Sequence, residues 1–331
     1  MTQPTSLVTG GAGFIGSHVA DELLRMGHHV VVLDDLSGGC RENVPGAAEL
    51  VVGSIVDEAT IANVFSRNTI DHVFHLAAYA AEGLSHFIRR FNYTNNLIGT
   101  ANLVNAAVNG SVRSFVFTSS IAVYGSGQLP MREEDLPRPE DPYGIGKLAV
   151  ELDLEAAHRL FGLNFVVFRP HNVYGERQNL GDKYRNVIGI FMNQTMRGEP
   201  MTIFGDGKQT RAFTHVGDVA PVIACSVDLP ELQNQVFNIG ADTAVTVNHL
   251  AAEVAGAMGA PCRTVHLPAR QETVHAYSSH GRLSALIGYR PTISLDEGLQ
   301  RMAAWAKSAG PRPSPRFGII EIERNLPESW R

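Results

Sequence analysis

A chain of 331 residues that is 44% hydrophobic and 18% charged is long enough for one large core and a smaller lobe. Its net charge of -6 lacks the clustered Lys/Arg field that nucleic acid or an anionic membrane surface requires, so neither partner is expected and an anionic ligand must be met locally. Three cysteines (Cys40, Cys225, Cys262) without C-x-x-C spacing suit a reduced compartment; no basic leader precedes Thr5 and no apolar run has the length of a membrane span, so a cytoplasmic address is expected.

In chain order, short β-branched runs at Ser6–Thr9, His29–Leu33, Leu50–Val52, His72–Leu76, Ser114–Thr118 and Phe165–Phe168 read as strands. Between them, Phe14–Met26, Glu58–Phe65, Asn95–Val108 and Gly144–Leu160 carry apolar residues at three- and four-residue spacing, as helices packed on a sheet do. This alternation predicts an α/β fold with a parallel sheet built by right-handed crossovers. After Arg169 glycine and proline become frequent and the strands isolated. Residues 1–170 are therefore expected to form the nucleotide-binding domain, to which later segments return, and 171–331 mainly a smaller α+β lobe that holds substrate. The tail Gly310–Arg331 has no clear period and is expected to wrap the surface.

The first strand runs into Gly10-Gly11-Ala12-Gly13-Phe14-Ile15-Gly16 and then into a helix. Such glycines allow a tight turn and close approach of a pyrophosphate to the helix N-terminus, the signature of a Rossmann-type doubly wound sheet that holds a dinucleotide. Asp34, 18 residues beyond Gly16, can accept from both hydroxyls of the adenine ribose and would repel a 2′-phosphate, which favours NAD; Arg41 keeps NADP as the alternative. Asp35 reads equally as a second ribose contact or a solvated loop carboxylate.

Tyr143 and Lys147 stand at i and i+4 on a helix that starts at Pro142, downstream of Thr118-Ser119-Ser120 at the carboxyl end of a strand, where open parallel sheets bind ligands. A phenol is a poor base at neutral pH, but a nearby ammonium and a positive nicotinamide favour its phenolate. Tyr143 is then the candidate base for a sugar hydroxyl, Lys147 its electrostatic partner and a ribose contact, and Ser120 a hydrogen-bond donor at the reacting oxygen. No His, Cys or acid cluster has metal-ligand spacing.

Thr9 to Gly16, His75-Leu76-Ala77-Ala78, Asn95 to Thr100, Thr118 to Ser120 followed by Val123-Tyr124-Gly125, and Tyr143 to Lys147 together resemble the extended short-chain dehydrogenase family, in its UDP-sugar 4-epimerase branch, over about residues 5 to 305. The resemblance implies that Leu76, Ala77 and Ala78 line NAD, with Asn95, Ile55, Thr118 and Pro170 among the cofactor contacts. Ser54 departs from the family's acid, so adenine would be met more loosely or by backbone. Arg169 to Gly175 and Phe204 to Phe213 resemble the family's substrate-lobe signatures. They imply a nucleoside diphosphate held by Arg211 and Arg270, by Asn172 and Asn186, and by Phe204 against the base, with Thr202 also in contact. Tyr277 falls at the family's gate for the C2 substituent.

Relatives that dehydrate or decarboxylate carry extra acids after the hydroxyl residue; this chain has Ile121 and Ala122. What the resemblance then implies is C4 epimerisation of a UDP-hexose of the glucose/galactose type. Glu82 would favour a neutral sugar. A UDP-glucuronate 4-epimerase is the alternative, with Arg177 and His171 as the positive partners of a uronate; a nucleotide-sugar 4-reductase or dehydrogenase, and an idle NAD-binding sensor or scaffold, are further ones. Family members dimerise through two helices, which implies a homodimer through Asn95–Val108 and Gly144–Leu160.

Overall fold

The computed structural model describes residues 3–270 and 273–330; Arg331, the last residue of the tail, lies outside the described residues. Strands β1 (Thr5–Thr9), β2 (His29–Asp34), β3 (Glu49–Val52), β4 (His72–His75), β5 (Ser114–Thr118) and β6 (Phe165–Pro170) alternate with helices. These are α1 (Phe14–Arg25), α2 (Glu58–Arg67), α3 (Glu82–Ser85), α4 (Arg89–Tyr93), α5 (Gly99–Asn109) and α6 (Pro142–Phe161). A seven-stranded sheet results, in the order β11-β6-β5-β4-β1-β2-β3, in which β11 (Gln235–Ile239) pairs parallel to β6. The order reverses between β1 and β4, which opens a crevice at their carboxyl ends.

The Val- and Phe-rich strands are buried on both faces, and their period of two divides the core. Val8, Val32, Phe74, Val116 and Phe168 face α1 and α8 (Ala220–Cys225), whereas Leu7, Val31, Val73, Phe117 and Val167 face α2, α5 and α6. Thus α8 and β11 return to the sheet from beyond residue 171, joined by α10 (Gly281–Ile287), whose Leu283 enters the first of these clusters.

Around a third cluster that includes Phe191, Leu250 and Met302 lie α7 (Val187–Met196), α9 (Val247–Met258) and α11 (Leu295–Ala309). With them go short strands: β7 (Val173–Tyr174) beside β10 (Thr214–His215), β8 (Met201–Phe204) beside β13 (Thr264–Leu267), and β9 (Thr210–Ala212) between β12 (Ala244–Thr246) and β14 (His275–Ala276). Among the described residues no helix is long and apolar enough to cross a membrane.

One element differs from the sequence reading. The helix expected over Asn95–Val108 begins with a π-helical turn, Thr94–Ile98, before α5. Buried amides account for it. Asn96 donates to Asn92 Oδ1 (2.8 Å) and Tyr79 O (3.2 Å) and accepts from Tyr79 N (2.9 Å), while Asn92 donates to Pro142 O (2.9 Å). The widened turn turns both amides inward, where they tie the loop after β4 to the start of α6; such bulges recur at functional sites.

Candidate active site

A cavity of about 480 Å³ opens at the carboxyl ends of β1, β4, β5 and β6 and extends into the second lobe. On the sheet side the glycine loop makes its floor. Gly10 has φ +72°, and a Cβ there would stand 2.6 Å from Ala77 N; a Cβ on Gly16 would stand 2.2 Å from Gly10 O. No side chain caps α1, whose N-cap is Gly13, so its first N–H groups point at the space where a phosphate would lie. Asp34 accepts from Ala12 N (3.0 Å) and Leu36 N (2.8 Å), which locks the loop; burial pushes its carboxyl up, and these donors oppose that shift.

Every residue the sequence assigned to the cofactor lines this cavity, from Gly10, Gly13, Phe14, Ile15 and Gly16 through Asp34, Asp35, Ser54 and Ile55 to Leu76, Ala77, Ala78, Asn95, Thr118 and Pro170. Ser54 Oγ accepts from Val56 N at 3.2 Å and Asp35 accepts from Ser37 N at 2.9 Å, so both side chains also shape their own loops.

At the far end stand Ser120, Tyr143 and Lys147. Asp141 caps α6 by accepting from Tyr143 N (2.9 Å) and Gly144 N (3.0 Å), with Pro142 in the first turn, and so fixes where the phenol emerges. One turn later Lys147 Nζ donates to Thr118 O at 2.7 Å and lies 4.5 Å from the centre of the Phe117 ring. Burial pushes the Lys147 amine down to about 7, against the pull of Glu151. Burial also holds the Tyr143 phenol above its ordinary range, and a hydrogen bond with Ser120 draws it back. Among the protein's own groups, then, desolvation outweighs the ammonium that sequence reasoning put first.

On the substrate side Asn172, Asn186, Thr202, Phe204, Arg211 and Arg270 also line the cavity. Asn172 (φ +40°) and Asn186 (φ +64°) hold left-handed backbone, a conformation that costs energy and gathers at functional sites. Arg211 donates to the carbonyls of Thr210, Thr273 and Val274, at 2.5 to 2.9 Å, and so ties β9 to Thr273 and Val274. Arg270 lies 4.5 Å from the Phe204 ring centre, which gives Phe204 a cation as neighbour.

Two expected substrate contacts fall elsewhere. Arg177 (φ +66°) turns away and pairs with Asp21 of α1 at 2.7 Å, outside the cavity lining. Tyr277 does not line the cavity either; its carbonyl accepts from Met131 N at 3.1 Å, beside the isolated bridge between Met131 and Ser278. Conversely, Tyr79, Gln178, Tyr184 and Arg185 line the cavity without having been singled out. Arg185 pairs with Asp182 (2.6 Å) and lies 4.8 Å from the Tyr79 ring centre. Adjacency was the available signal, since Tyr79 directly follows Ala78 and Arg185 precedes Asn186.

Residues 6–240 match the model of the NAD dependent epimerase/dehydratase family. The chain belongs to that family. Its relatives include a UDP-glucose 4-epimerase of Mycolicibacterium smegmatis, 36% identical over 304 residues that cover 89% of this chain and 96% of the relative. Among solved structures, a UDP-glucose 4-epimerase of Thermotoga maritima with UDP-glucose superposes with a TM-score of 0.88 at 35% identity, covering 92% of this chain and 99% of that one. A UDP-glucuronic acid 4-epimerase of Bacillus cereus with UDP-glucuronic acid and NAD reaches 0.85 at 28%, covering 92% and 99%. The family's cofactor fits the cradle described: a loop that excludes every side chain at Gly10 and Gly16, an uncapped helix end and a buried carboxylate at the end of β2.

Proposed function

We propose that this family member inverts C4 of a UDP-hexose of the glucose/galactose type through a 4-keto sugar. The observation that carries the reading is continuity: one cavity joins the Ser120–Tyr143–Lys147 end to the Asn172, Asn186 and Arg270 wall, while the positions after Ser120, Ile121 and Ala122, bring no acid for dehydration or decarboxylation. Bound NAD would take the hydride from C4 and return it. Tyr143 would accept the C4 hydroxyl proton and hand it back, and Ser120 would hold the phenolic oxygen toward that carbon. Lys147, fixed on Thr118 O, would meet the cofactor's ribose and stabilise the phenolate once a positive ring lies nearby. Asn172, Asn186 and Arg270 would anchor the diphosphate, so that the sugar alone turns over between the two hydride transfers.

A neutral hexose is favoured over a uronate because a carboxylate, Glu82, lines the cavity. The two positive partners considered for a uronate do not serve: Arg177 is on Asp21, and His171 is 3% exposed, stacked on His280 and driven down to about 3 by burial. Arg185 speaks for the uronate, since it lines the same cavity and carries a positive charge. Incubation with UDP-glucose, UDP-glucuronate and UDP-N-acetylglucosamine, with C4 stereochemistry assigned by proton NMR, is expected to convert UDP-glucose fastest without added reductant. Preference for UDP-glucuronate would move the reading to Arg185.

The same reading includes a homodimer. Ile98, at the end of the π-helical turn before α5, and Leu152, Leu160 and Phe161 on α6 are exposed apolar side chains on the helices expected to pair, suited to burial against a second copy. A single-protomer mass in sedimentation equilibrium would exclude that pairing.

A further inference from the structure

The segment after α11 crosses from one lobe to the other. Asn193 of α7 holds its start, accepting from Arg312 N at 2.8 Å and donating to Arg312 O at 2.9 Å. Phe317 N donates to Tyr184 OH (2.8 Å), and the Phe317 ring packs 5.0 Å from Tyr79 and 5.1 Å from Phe91. Glu321 then accepts from the N–H groups of Arg90 and Phe91, each at 2.8 Å, at the start of α4. Leu326 and Trp330 are 4% and 2% exposed.

Ordering a stretch with so little regular structure opposes folding at every residue, and it is offset here by contacts that converge on the cavity wall. The Trp330 indole stands 3.1 Å from where a Cβ on Gly83 would be, 5.4 Å between centroids from Tyr184 and 5.6 Å from the Arg270 guanidinium. Gly83, Tyr184 and Arg270 line the cavity; Trp330 itself does not.

We propose that Trp330 is a positioning residue, whose indole holds Arg270 beside Phe204 and thereby sets the guanidinium that meets the substrate's diphosphate. This rests on the UDP-sugar reading above. The tail then supports the wall of the substrate site from behind and does not only wrap the surface.

The test uses the full-length protein, with UDP binding followed by calorimetry and kcat and KM measured with UDP-glucose. Trp330→Leu fills space but removes the aromatic face, and is expected to raise KM and the Kd of UDP by about fivefold, the worth of one cation–π contact, with kcat within about twofold and copurified NAD unchanged. Trp330→Phe restores the face and should return both constants to within about twofold of the parent. Termination after Glu328 removes the buried indole together with its backbone, leaves every other side chain of its cluster unsubstituted, and should give the leucine result on protein whose Tm shows that it is folded.

Arg270→Ala should weaken UDP binding, and adding Trp330→Leu to it should have little further effect, because the indole acts through that guanidinium. Unchanged KM and Kd in both Trp330→Leu and the truncation, with Arg270→Ala weakened, would overturn the positioning role alone; a parallel fall of kcat, NAD content and Tm would overturn it as well. Unchanged UDP affinity in Arg270→Ala would overturn the diphosphate reading of this wall, and the proposal with it.

Discussion

Replacing Tyr143 with phenylalanine is expected to lower kcat by roughly 10²–10⁴, the usual worth of a positioned acid–base group, while bound NAD and the Kd of UDP stay near their original values. The substitution removes only the oxygen. The ring is 7% exposed and held by an α6 start that Asp141 caps through backbone N–H groups, so the fold loses little. What disappears is the phenolic oxygen of a side chain that lines the cavity with Ser120 and Lys147. Steady-state kinetics on protein of matched NAD content checks this, and activity within tenfold of the parent would remove Tyr143 as the proton acceptor.

Glu151→Ala is expected to destabilise the protein by about 3–5 kcal/mol, a large share of the roughly 5–15 kcal/mol that holds a domain folded. Glu151 sits one turn beyond Lys147 on α6 and is 3% exposed. Its carboxylate accepts from Arg169 Nε (3.0 Å) and Nη2 (2.5 Å) and from the Ser119 hydroxyl, while Arg169 Nη1 donates to Tyr124 OH (2.7 Å), which donates in turn to Asn238 Oδ1 (2.8 Å). Without the carboxylate the Arg169 guanidinium, 4% exposed, stays charged, because a guanidinium keeps its proton at any working pH, and it is left buried without its chief partner. Urea denaturation measures the loss. A double change to Leu at 151 and Met at 169 should recover much of it, since an apolar pair needs no compensation; a Glu151→Ala protein within 1 kcal/mol of the parent would contradict the account.

The sheet and the cofactor side were legible because both are local. Near-continuous apolar runs such as Val30 to Leu33, Phe115 to Phe117 and Phe165 to Phe168 announce burial on two faces, and a strand, a glycine loop and a helix in succession place a pyrophosphate by backbone geometry alone. Motif position carried the substrate side less far. Arg177 stands where a contact was expected, yet its left-handed backbone aims the side chain at Asp21, and no sequence spacing reports that direction. The tail was the least legible part. Phe317 and Trp330 lie in a run without period, and their partners, Tyr79, Phe91, Tyr184 and Arg270, are supplied by long-range folding. The inward amides of Asn92 on α4 and Asn96 in the π-helical turn likewise became meaningful only once folding brought them to Pro142 and Tyr79.

In the function proposed, one cavity removes a hydride from C4 of the sugar and returns the same hydride to the opposite face, while Tyr143 exchanges only the hydroxyl proton. UDP-glucose deuterated at C4 and turned over in ordinary water should therefore give UDP-galactose with the deuterium retained at C4. Inverted product that has lost the label to solvent would show removal of a proton instead of a hydride, and would contradict it.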